Sequence, residues 1–107
     1  PAIAPVQVAV LPLLKNKEEL TKAARDVYDK LKFSFNCQYD EKDAIGRRYR
    51  RQDAIGTPYC ITIDFETLDD HTVTIRERDS LEQERIHIDQ IADIVRKRVS
   101  KESLLMG

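Results

Sequence analysis

The stretch from Tyr59 to Glu77 constrains this chain more than any other. Tyr59-Cys60-Ile61-Thr62-Ile63-Asp64-Phe65 is rich in β-branched and aromatic residues, and Thr72 to Glu77 alternates apolar and polar. A polar segment, Glu66 to His71 with Asp69-Asp70 at its centre, separates the two runs, so residues 59 to 77 predict a hairpin of two strands around a turn. On the second strand Thr72, Thr74, Arg76 and Arg78 share a face, as Thr62 and Asp64 do on the first. Such a face carries donors and acceptors for nucleobase edges. An ordinary half-exposed hairpin is the plainer reading.

Upstream the pattern changes. Val6 to Leu11 reads as a strand closed by Pro12. Asn16 then offers a helix N-cap with Glu19 three residues on, and Leu20, Ala23, Ala24, Val27 and Leu31 make one apolar stripe. Phe33 to Tyr39 is short and aromatic, a second strand. Downstream, Arg85 to Ile88 alternates as a weaker fifth strand, and Asp89 caps a last helix carrying Ile91, Ile94, Val95 and Val99. Arg96, Lys97 and Arg98 lie near its C-terminus, where the helix dipole favours cations. The order β-α-β-α-β-β-β-α implies an α/β fold: a five-stranded mixed sheet packed with three helices, parallel at first and antiparallel in the hairpin.

The helix before Tyr59 lies within Asp43-Ala44-Ile45-Gly46-Arg47-Arg48-Tyr49-Arg50-Arg51-Gln52-Asp53-Ala54-Ile55-Gly56. The tetrapeptide Asp-Ala-Ile-Gly appears twice and serves opposite ends. Asp43 suits the N-cap, whereas Gly56 suits the left-handed position after the helix, with Pro58 preventing continuation. Ile45, Tyr49 and Gln52 fall on one side, Arg47, Arg50, Arg51 and Ala54 on another. A solvated helix face is the plainer explanation of these arginines; the functional one is a cationic surface for phosphate or base edges, which the planar guanidinium suits.

At 107 residues and a net charge of −1, the chain is one domain whose anion binding must come from local clustering. Residues 1–5 read as a linker and residues 101–107 as a frayed tail. Pro1 in place of Met suggests a piece of a longer protein. Cys37 and Cys60 are far apart without CxxC spacing, which fits a reduced, cytoplasmic chain, although one disulfide stays open. His71 and His87 have no acid or cysteine at metal spacing and read as ordinary surface or core residues. Three glycines exclude a P-loop or dinucleotide fingerprint. Arg76-Glu77-Arg78-Asp79 has no nucleophile beside it, so no catalytic residue is assigned.

Ile45-Gly46-Arg47-Arg48-Tyr49 through Gly56-Thr57-Pro58, then Thr62-Ile63-Asp64-Phe65 and Thr72 to Asp79, resembles the C-terminal anticodon-binding domain of class II glycyl-tRNA synthetases. Ala4 to Leu13 fits that domain's first strand, so the resemblance covers nearly the whole chain. Ala44 departs from it, where the family often has serine. The threonyl, prolyl and histidyl synthetases share a weaker version of the pattern. They usually carry a glycine-acid loop where this chain has Asp64-Phe65-Glu66.

The resemblance implies a tRNA-binding domain that grips the anticodon arm of glycine tRNA. A separate catalytic domain of the parent homodimer would make glycyl-adenylate with ATP and Mg. It points to Arg47, Tyr49, Thr62, Phe65, Glu66 and Arg78 as tRNA-binding residues. Arg76, Arg50 and Arg51 are added from charge and face. Tyr49 and Phe65 also suit a buried core. The rival expectation is a non-catalytic synthetase-like interaction module, as in the accessory subunit of mitochondrial DNA polymerase; no membrane partner is expected.

Overall fold

The computed structural model describes residues 6–42, 44–78 and 82–97. The lead-in 1–5, the cap expected at Asp43 and the tail 101–107 lie outside them. Strands β1 (Val8–Pro12), β2 (Cys37–Tyr39), β3 (Tyr59–Ile63), β4 (Thr72–Glu77) and β5 (Gln83–His87) form one sheet of order β2-β1-β3-β4-β5. β1 is parallel to β2 and β3, while β3–β4 and β4–β5 are antiparallel. The mixed α/β sheet expected from the sequence is therefore present. β1 and β3 are buried along their whole length, as parallel strands covered on both faces must be.

α1 (Glu18–Leu31) buries Leu20, Ala24, Val27 and Leu31 against Val8, Val10, Ile61 and Ile63. Residues 91–97 form a helix, α4, on the same core, through Ile91 and Val95. α2 (Ile45–Ile55) joins a different, smaller cluster, Ala9, Leu11 and Cys60, through Ile45 and Tyr49. The two faces of the sheet thus differ: one packs on an apolar stripe, the other on a helix whose buried residues are Arg48 and Gln52.

Several local expectations need correction. α1 starts after Lys17, which caps it without a side-chain hydrogen bond, so Asn16 is no cap; Glu18 and Glu19 supply negative charge to the first turn instead. Phe33 to Asn36 is not strand. The Leu31 carbonyl accepts from both Ser34 N (3.0 Å) and Phe35 N (2.9 Å), which spends those residues on a turn and leaves Phe33 85% exposed. The segment expected as a polar turn is a helix, α3 (Phe65–Asp70), whose cap is Asp64 in a reciprocal box with Thr67. With α3 the described residues form four α-helices where three were expected.

The histidines close two of these elements. His71 takes the left-handed position after α3 (φ 59°). His87, rather than Asp89, caps the turn before α4, a 3-10 helix Ile88–Gln90: its Nδ1 accepts from Asp89 N at 3.1 Å. α2 itself begins after Ala44, whose side chain offers no cap, and ends as expected at Gly56 with φ 85°.

Candidate nucleic-acid interface

Because β1, β2 and β3 are parallel, their carboxyl ends share one edge of the sheet. β1 runs on to β2 through α1, and β2 crosses over to β3 through α2 on the opposite face. Order β2-β1-β3 therefore opens a switch point between the carboxyl ends of β1 and β3, the place where open α/β sheets hold ligands. The loop after β1 and the start of α2 line this place, and Leu13 N donates to Ile63 O at the end of β3, just before α3. A hollow of about 530 Å³ lies between Leu13, Leu14, Lys15 and Ile45, and a second of about 610 Å³ opens beside it at Lys15, Lys42 and Arg51. Among the described residues no three His, Cys, Asp or Glu side chains group to hold a metal.

The nine residues singled out from sequence divide into four places. Arg47 and Arg50 are exposed on the outer side of α2. Arg51 is one turn on from Arg47, but its guanidinium is held by both Asp40 oxygens, at 2.8 and 2.6 Å. Phe65 (45% exposed) and the exposed Glu66 begin α3 at the carboxyl edge.

Tyr49, Thr62 and Arg76 meet in the seam between α2 and the sheet. Tyr49 Oη and Thr62 Oγ1 are 2.5 Å apart, and the Arg76 guanidinium lies 4.7 Å from the centre of the Tyr49 ring. Arg76 also donates twice to Asp53, at 3.1 and 3.3 Å, which raises its pKa. Burial pushes the Tyr49 phenol up and keeps it neutral. Arg78 stands apart from these. Its amide bonds Pro58 O and its Nη1 donates to Gly56 O at 2.6 Å, at the amino end of β3. About 20 Å of strand separates it from Phe65.

Sequence reasoning missed the polar network under α2. Arg48 is 1% exposed and donates to the Pro12 carbonyl, tying the helix to the end of β1. Gln52, fully buried, accepts from Thr57 Oγ1 at 2.8 Å and donates to Asp40 and Gln38 at 3.2 Å each. The available signal was spacing: Arg48 lies three residues after Ile45 and four before Gln52, on the inward stripe.

Burial would raise the pKa of Asp40, but hydrogen bonds from Arg51, Lys42 N and Gln52 outweigh it and hold the carboxyl below its ordinary value of 3.8. A carboxyl depressed on folding contributes stability above its unfolded pKa, and that contribution is lost as pH falls through the folded value. Urea melts should therefore weaken below pH 3.8. The Asp40→Asn chain should be less stable at neutral pH and show a flatter acid limb; an identical limb would remove Asp40 from the acid response.

The anticodon binding domain family matches residues 7–98 of this chain. The chain belongs to that family. This anticodon-binding domain is 57% identical over 102 residues to a glycine–tRNA ligase of Bifidobacterium longum, covering 94% of the chain and 21% of the relative. It is 54% identical over 99 residues to a glycine–tRNA ligase of Clostridium kluyveri, covering 92% and 21%. It spans about a fifth of the length of these relatives.

Among solved structures, a prolyl-tRNA synthetase from Cryptosporidium parvum superposes with a TM-score of 0.82 at 22% identity, over 92% of this chain and 21% of that one. The RNA binding domain of threonyl-tRNA synthetase from the same organism gives 0.78 at 25%, over 88% and 24%. The anticodon-binding domain thus shares its fold across synthetases of different amino acids, while its sequence lies with the glycine enzymes. No helix among the described residues is long and apolar enough to cross a membrane.

Proposed function

We propose that this anticodon-binding domain recognises the anticodon arm of glycine tRNA for a glycine–tRNA ligase of which it is one part. The remainder of that polypeptide, a catalytic domain working as a homodimer, would activate glycine with ATP and Mg and transfer it to the tRNA. The observation that carries the reading is an exposed aromatic and an exposed carboxylate at the carboxyl edge, with an exposed arginine pair on the outer side of α2. It occurs in a chain more than half identical to glycine–tRNA ligases.

The roles follow from what each side chain is free to do. Arg47 and Arg50 hold backbone phosphate and set the register of the arm. Phe65 offers a ring on which an unstacked base rests, and Glu66 accepts from the exocyclic amine of cytosine. Tyr49, Thr62 and Arg76 are bonded to one another or to Asp53, and act by shaping the platform. Arg51 holds α2 to Asp40. Arg78, bonded to the Gly56 carbonyl at the far edge, faces the phosphates of the stem.

The test is a titration at several salt concentrations against a glycine tRNA anticodon stem-loop and a version altered at its two central cytosines. The expected result is clear preference for the unaltered loop. Equal binding that fades steeply with salt would reduce the domain to a holder of phosphate. It would then leave discrimination to the rest of the enzyme or open the interaction-module alternative.

A further inference from the structure

We infer that Arg85, on β5, is a positioning residue for base reading: it fixes the start of α3 and aims the Glu66 carboxylate. The inference rests on the function proposed above. α3 has six residues, too few for a helix to hold itself in water, so Phe65 and Glu66 are presented only if its first turn is pinned from outside. Asp64 supplies the pin. Its Oδ1 accepts from Thr67 N at 3.3 Å and from Thr67 Oγ1 at 3.2 Å, while its Oδ2 accepts from Arg85 Nη2.

The other nitrogens of the same guanidinium are also engaged. Nη1 donates to Thr72 Oγ1 at 2.8 Å, and that hydroxyl donates to Asp70 at 2.5 Å, so both ends of α3 are tied to one group. Nε lies 3.1 Å from Glu66 Oε2. The side chains of Asp64 and Arg85 are 20% and 30% exposed, whereas Glu66 is 66% exposed. Arg85 is thus gripped on its inner side and holds an outward carboxylate by one oxygen, leaving the other for a ligand. Arginine suits the position because its planar fork reaches three acceptors at fixed angles.

The experiment is a double-mutant cycle on base discrimination, using the unaltered stem-loop and one with cytosine replaced by uracil, whose O4 cannot donate to Glu66. Wild type, Arg85→Gln, Glu66→Gln and the double variant are compared, with Arg85→Lys as a charge-conserving control. Each single variant is expected to lose about tenfold in discrimination. The double variant should lose no more than either single. Arg85→Lys should keep the salt slope yet lose discrimination, because a compact ammonium cannot span the three separate acceptors that Nη1, Nη2 and Nε reach.

Losses that multiply in the double variant would make Arg85 a structural residue acting independently of Glu66. Equal loss for both loops with a shallower salt slope would make it a phosphate contact. Either result overturns the inference while wild-type discrimination stands. Failure of wild type to discriminate overturns the proposed function itself, and the inference with it.

Discussion

Arg48→Ala is expected to destabilise the chain by about 3 kcal/mol, a large part of the roughly 5–15 kcal/mol a domain of this kind has. Two losses combine. The side chain is 1% exposed, so truncation leaves a void between α2 and the sheet, and the Pro12 carbonyl loses the donor that reaches it. Burial lowers the pKa of this guanidinium and Asp40 nearby raises it, so removing Arg48 also takes away one of the cations that offset a buried carboxylate.

Arg48→Met separates these contributions. It keeps the length of the stem and abandons the carbonyl, and should cost about 1–2 kcal/mol. Urea unfolding gives both numbers, and for Arg48→Ala the melting temperature should fall by more than about 10 °C. If Arg48→Ala melts within about 1 kcal/mol of the parent, the buried network is not what docks α2, and the small cluster of Ala9, Leu11 and Cys60 would have to suffice.

The contrast between the two faces of the sheet explains what the sequence made legible. α1 and α4 pack through apolar residues at helical spacing, and strands β1, β3 and β4 through β-branched runs; periodicity is a direct record of such packing. α2 packs through Arg48 and Gln52, and a hydrophobic pattern cannot register an arginine that faces inward because a carbonyl waits there. The stripe of Ile45, Tyr49 and Gln52 gave its direction, but Arg48 looked like one more surface charge among its neighbours.

Local bonding hid the rest. Asp64 and Thr67 carry a capping spacing that marks the start of α3, yet six residues give no period to read, and the segment passes for a turn. Asn16 and Asp89 had the chemistry of caps and do not cap, because α1 begins one residue later and His87 takes the other place. The candidate interface was visible as residue types. Its division between two edges of the sheet was not, because distance along a strand becomes distance in space only once the register of β3 and β4 is known.

That division yields the second large effect. Phe65→Ala should weaken stem-loop binding by tenfold or more, since base–aromatic stacking contributes about 1–3 kcal/mol per base, and should leave stability nearly unchanged because the ring is 45% exposed. Arg78→Ala should do the reverse. Its guanidinium holds the Gly56 carbonyl at the left-handed close of α2, so its loss costs about 1 kcal/mol of folding while binding falls modestly and alike for every loop. Measured side by side, affinity for altered and unaltered loops and urea midpoints assign base reading to one edge of the sheet. Loss of discrimination in Arg78→Ala, with Phe65→Ala silent, would move the reading site to the amino edge and leave the switch point between β1 and β3 without an RNA role.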